Sequence, residues 1–194
     1  GNTGTTGNFY KNKEDIEYAL TAAYANLQAG AMYKEYMVLM TDVRSDDLGS
    51  FANTGGNAGR EYSIKIFTAQ SDNQIFRSVW QKTYETIYRC NNVIYHIDIV
   101  KDSKLKLQYE AEARFLRALC YFNIVRFWGD APLILTPLTA TEVAECERNK
   151  VADIYAAIET DLQFASDANN LPKVFTGKNS GRATSLAAKA LLGK

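Results

Sequence analysis

The segment AEARFLRALCYFNIVRFWGDAPLIL, Ala111 to Leu135, limits what this chain can fold into more than any other. At about 100° per residue, Ala111, Phe115, Ala118, Phe122 and Val125 fall on one side of a helix. Ala113, Leu116, Cys120, Ile124 and Phe127 fall on the opposite side. Two narrow polar seams separate these stripes, one of Glu112, Asn123 and Arg126, the other of Arg114, Arg117 and Tyr121. A surface helix has one apolar stripe to bury, so a helix with two must lie between two neighbours. The seam arginines are therefore expected to snorkel or to pair with carboxylates rather than meet a ligand. Gly129 stops this helix and Pro132 prevents its resumption.

The rest of the chain supplies the neighbours. A first helix starts after Asn12, which can cap Glu14 and Asp15, carries Ile16, Leu20, Ala23 and Leu27 on one face, and ends by Gly30. Met32 to Asp42 reads as a second helix. Asp72 opens a long helix to about Ile99. Its aliphatic stripe is Ile75, Val79, Cys90, Val93, Ile94 and Ile97, with a second stripe of Trp80, Tyr84, Asn91 and Tyr95 beside it. Asp102 or Ser103 caps the two-striped helix. GDAPLILTPLTATE reads as extended, a further helix covers about Asn149 to Ala168, and Thr184 caps a last one. No segment alternates as a strand would. Between Arg44 and Asp72 the helical pattern breaks into SDDLGSFANTGGNAGREYS, read as a long Gly/Asn-rich loop, and long loops on compact domains are often functional.

Composition excludes several functions. Across 194 residues, 22 Lys and Arg balance 22 Asp and Glu, which gives no electrostatic case for nucleic acid. A single histidine, His96, and three cysteines without metal spacing imply no metal site and no cofactor. Cys90 and Cys120 sit at apolar helix positions and read as small buried hydrophobes. The carboxylate groups Asp46-Asp47, Glu110-Glu112 and Glu142-Glu145-Glu147 could suggest a glycosidase, but such residues more often cap helices, and an enzyme is not expected.

Ala111-Glu112-Ala113-Arg114-Phe115-Leu116-Arg117-Ala118, then Tyr121-Phe122, then Trp128-Gly129-Asp130-Ala131-Pro132-Leu133, resembles the signature of the SusD/RagB family. Further segments are similar to that family along nearly the whole chain. They include Asn8-Phe9-Tyr10 with Ala23-Tyr24, Ser45-Asp46-Asp47, Trp80 to Asn91-Asn92, Asp161-Leu162, and Gly181-Arg182-Ala183-Thr184. The resemblance implies an all-α fold of tetratricopeptide-like helix pairs stacked in a right-handed array. Residues 1–194 would form one N-terminal helical domain of a longer protein. It also implies a nutrient-binding lipoprotein of the cell outer membrane, held there only by a lipidated N-terminal cysteine that this chain lacks. Such a protein performs no chemistry and passes glycans or other nutrients to a TonB-dependent, SusC-like transporter.

Sugar sites combine aromatic faces with Asn, Asp and Arg side chains that meet hydroxyls. The candidate ligand residues are therefore Asp46, Asp47, Phe51, Asn53, Asn57, Arg60 and Tyr62 in the loop, with Trp80 as a candidate stacking platform, although a Trp on a helix stripe is more often core. The rival reading is a helical-repeat adaptor for protein partners. The Trp-Gly-Asp-Ala-Pro and Gly-Arg-Ala-Thr motifs argue against it, because a plain repeat has no need of them.

Overall fold

The computed structural model describes residues 9–45 and 56–194, and within them the chain forms eight α-helices and no strand. They are α1 (Lys13–Leu27), α2 (Tyr36–Asp42), α3 (Gly56–Lys65), α4 (Gln74–Tyr95), α5 (Ser103–Trp128), α6 (Ala140–Ala144), α7 (Val151–Ser166) and α8 (Ser185–Leu192). Two compact units result, Gly1–Tyr24 with Thr86–Lys194, and Ala25–Glu85.

Helix ends follow the capping chemistry of the sequence. Asn12 Oδ1 accepts from the Asp15 amide at 3.0 Å, and Asp15 Oδ2 accepts in return from the Asn12 amide at 3.1 Å. Asp102, not Ser103, caps α5 by accepting from Leu105 N at 3.0 Å. Gly129 ends α5 at φ 70°, a region that L side chains rarely adopt, and no neighbouring atom would obstruct a Cβ there. Backbone conformation, rather than space, is what calls for glycine. Thr184 caps α8 through Ala187 N.

Four local expectations need correction. α1 stops at Leu27, and Gly30 opens a separate π-type turn to Lys34, broken at Met32 (φ −117°, ψ −134°). Residues 56–65 of the expected long loop form α3. α4 begins at Gln74 with Asn73, not Asp72, accepting from Ile75 N at 2.9 Å, and ends at Tyr95 before a 3-10 turn over Ile97–Ile99. The expected extended run is interrupted by α6, because Thr139 and Glu142 complete a reciprocal capping box.

In the larger unit α5 is the central element, and its polar seams lie largely inside, with Arg114 part-buried and Arg126 exposed. Glu112 is fully buried, and Arg117, Tyr121 and Asn123 are at most 9% exposed. Arg117 donates to Asp161 of α7, to Asn91 Oδ1 of α4 at 2.8 Å and to the Leu135 carbonyl at 2.9 Å. Asn91 Nδ2 donates to the Ile134 and Thr136 carbonyls, and Tyr121 OH both donates to Ile134 O and accepts from Ile134 N. The Pro-rich segment after Gly129, which cannot form a helix, thus satisfies its backbone on side chains of α4 and α5.

A second buried network surrounds Glu112. Its carboxylate accepts from Tyr24 OH at 2.7 Å, Arg182 Nε at 2.8 Å and Gln108 Nε2 at 3.0 Å, while Tyr24 OH accepts from Ala183 N at 2.9 Å. Burial, with Glu112 close by, pushes the Tyr24 phenol far above its ordinary value. Gly181 turns the chain into this network at φ 89°. The seam arginines Arg114 and Arg117 pair with carboxylates as expected, and Cys90 and Cys120 are fully buried.

Candidate functional site

The smaller unit carries a polar cleft of about 490 Å³, lined by Gly59, Arg60, Ser63, Thr68, Gln70, Asp72, Asn73 and Gln74. Its floor is rigid. Asn73, 8% exposed, donates through Nδ2 to the Arg60 carbonyl and to Ser63 Oγ, both at 3.2 Å, while its Oδ1 caps α4. Ser63 Oγ donates to Arg60 O at 2.7 Å. One buried asparagine therefore ties the last turns of α3 to the first turn of α4, and side chains on both helices face a shared polar space.

Between the helices the chain makes a tight reversal. Thr68 N and Ala69 N donate to Ser63 O, and Phe67 N donates to Ile64 O at 3.3 Å. This is the pattern of a Schellman cap, in which the residue after the helix takes the left-handed conformation. Glycine is the usual occupant, yet here it is Phe67, at φ 59°. Left-handed backbone costs an L residue about 1–2 kcal/mol. The fold holds Phe67 there with its side chain 71% exposed, Arg44 lying 5.2 Å from the ring centre. Strain of this kind, retained where the ring gains no burial, is a reason to look for a role in ligand contact.

The cleft matches part of the sequence-derived site. Arg60 lines it. Tyr62 is half-buried on α3 outside the lining, and Trp80 is half-buried on α4, tilted 47° against Tyr84 at 4.8 Å. Asn57 falls in the first turn of α3, and Asp46, Asp47, Phe51 and Asn53 lie outside the described residues. Phe67, Thr68, Gln70, Asp72, Asn73 and Gln74 were not singled out from sequence. The available signal was the polar run Thr-Ala-Gln-Ser-Asp-Asn-Gln directly after an aromatic residue, between two helix patterns. Among the described residues no group of three or more His, Cys, Asp or Glu side chains could hold a metal ion, and no helix is long and apolar enough to cross a membrane.

A cleft of amide, hydroxyl, carboxylate and guanidinium groups, with the exposed Phe67 next in the chain to its lining residue Thr68, is chemically suited to polyhydroxylated ligands: polar groups of this kind meet hydroxyls, and aromatic ring faces meet C–H surfaces. Known proteins resemble this chain along most of its length. A family model described as SusD-like, "Starch-binding associating with outer membrane", matches residues 8–194. SusD-like protein P25 of Formosa agariphila is 28% identical over 190 residues, covering 93% of this chain and 35% of that protein. A SusD-like protein of Bacteroides ovatus is 32% identical over 119 residues, covering 59% of this chain and 21% of its own length. Among solved structures, a laminarin-binding SusD-like protein superposes with a TM-score of 0.83 at 30% identity, covering 95% of this chain and 40% of that one. Surface glycan-binding protein A from Bacteroides fluxus gives 0.80 at 27% identity, covering 93% and 38%. The chain thus spans well under half the length of these proteins. On the match over residues 8–194, this all-helical chain belongs to the SusD-like family.

Proposed function

We propose that this chain is the N-terminal helical domain of a surface nutrient-binding protein of the outer membrane, which captures oligosaccharides without chemical change and delivers them to a TonB-dependent transporter. The observation that carries the reading is Phe67, a solvent-exposed aromatic held in left-handed backbone directly before Thr68, which lines the polar cleft. In this reading Phe67 stacks on a sugar ring, while Arg60, Gln70 and Asp72 take hydroxyls. Asp46, Asp47, Phe51, Asn53, Asn57, Tyr62 and Trp80 are proposed as further contributors from the segments on either side. The names of the similar proteins, one binding laminarin and one glycans, support the ligand class.

Affinity electrophoresis in gels containing laminarin or soluble starch tests the ligand. The chain should be retarded by at least one of them, and Phe67→Ala with Arg60→Ala should lose most of that retardation. Equal retardation of wild type and variant would refute the cleft as the site. Isolating the tagged full-length protein from outer membranes tests the partner: a TonB-dependent transporter should come with it, and its absence would count against delivery.

A further inference from the structure

A second group of exposed rings lies in the larger unit, where α4 ends. His96 stacks on Tyr10 at 4.2 Å between ring centres and 16° between planes. Tyr95 meets His96 edge-on at 5.0 Å, and Phe9 meets Tyr10 edge-on at 5.0 Å. Tyr88 lies near Tyr10. These rings are not core: Tyr95 is 68% exposed, Tyr88 42% and Phe9 41%. The aliphatic residues of the same stretch, Val93 and Ile97, are turned inward and buried. Phe9, Tyr88 and Tyr95 therefore bring aromatic rings to solvent, beside the part-exposed Tyr10, Ile94 and His96.

Tyr88 and Tyr95 are seven residues apart on one helix. Two turns return a side chain to almost the same face, displaced along the axis by about 10 Å. Flat rings at that interval suit an extended chain of pyranose units, with alternate sugars each lying on one ring and their hydroxyls reaching the phenols. Tyrosine is also well suited to holding such a platform, because it offers a large rigid face at low entropic cost.

We infer that Tyr88 and Tyr95, braced by the stack of Tyr10 and His96, form a second carbohydrate-contacting surface for extended oligosaccharides, separate from the cleft beside Phe67. The inference rests on the glycan-binding reading proposed above, and its test keeps the two apart.

Binding of laminarin, soluble starch and hydroxyethyl cellulose, whose β-1,4 chain is extended, is measured by affinity electrophoresis and calorimetry for three forms of the chain: unmutated, Phe67→Ala, and Tyr88→Ala with Tyr95→Ala. The tyrosine double variant should bind at least one polysaccharide about fivefold or more weakly, with an unchanged melting temperature. Tyr88→Phe with Tyr95→Phe should retain most of the affinity, since the ring faces persist. Wild-type affinity in the Tyr88→Ala, Tyr95→Ala form, alongside a loss in Phe67→Ala, would overturn this inference alone and leave the tyrosine face to a protein contact. The reverse pattern would uphold it and overturn the cleft. No binding by the unmutated chain would overturn both for these glycans.

Discussion

Arg117 and Asp161 are joined by two parallel hydrogen bonds, Nε to Oδ2 and Nη2 to Oδ1, both 2.8 Å long. Both side chains are at least nine-tenths buried, and Arg114 approaches the same carboxylate at 3.5 Å. Burial alone would disfavour the Arg117 charge, but the bonds and charge of Asp161 more than offset it and hold the guanidinium protonated. Removing one partner strands the other charge without water, which costs about 3–5 kcal/mol. Arg117→Met and Asp161→Leu should each destabilise the fold by that order, read from urea unfolding. Replacing both together, as Arg117→Met with Asp161→Leu, should cost clearly less than the sum. An additive double variant would show that the two side chains act independently.

Tyr24→Phe removes one hydroxyl from the centre of the other network. That hydroxyl donates to Glu112 and accepts from Ala183 N, so its loss leaves a buried carboxylate short of a donor and a buried amide short of an acceptor. A cost of about 1–3 kcal/mol follows, readable as a shift in urea unfolding. Because the amide belongs to the Gly-Arg-Ala-Thr turn, hydrogen exchange should accelerate at Ala183 more than in the middle of α7. Unchanged exchange there would refute the link.

These two networks explain which parts of the fold could be read from sequence. The opposed stripes of α5 follow from helical periodicity alone, and so does the expectation, met by Arg114 and Arg117, that its seam arginines pair with carboxylates. Their partners do not: Asp161, Asn91, Tyr24 and Arg182 are 26 to 88 positions from the residues they meet. No local pattern records such pairings. The site was less legible for a different reason. The Gly-rich run suggested a loop, yet tertiary context folds residues 56–65 into α3. The cleft then depends on Asn73 bridging two helices and on Phe67 in left-handed backbone, and the side-chain chemistry of phenylalanine gives no hint of that conformation.

Asp130 links the end of α5 to the start of α7. Its carboxylate accepts from Lys150 Nζ at 2.9 Å and from Val151 N at 3.0 Å, and these bonds hold its pKa below the ordinary 3.8. A depressed carboxylate pKa stabilises the fold above the unfolded value, and that contribution is lost as pH falls through the folded value. Asp130→Asn should therefore melt below wild type at pH 7, with the difference shrinking once the pH drops under about 4. Thermal unfolding at pH 7 and pH 3 decides this. A gap that is the same at both would mean the carboxylate charge plays no part.

Phe67 separates stability from binding in a single position. Phe67→Ala and Phe67→Gly both delete the ring and its contact with Arg44, so both should lose the same fraction of glycan affinity. They differ in backbone cost. Alanine keeps the strain at φ 59°, whereas glycine adopts that conformation freely. Relief of about 1–2 kcal/mol, offset in part by glycine's greater freedom when unfolded, should leave Phe67→Gly about 1 kcal/mol more stable than Phe67→Ala. Urea midpoints and laminarin titrations of the two variants test both halves. If the glycine form is more stable and binds as poorly as the alanine form, the strained backbone serves to present the ring. If either variant keeps wild-type affinity, Phe67 is not a ligand platform and its conformation serves only the reversal between α3 and α4.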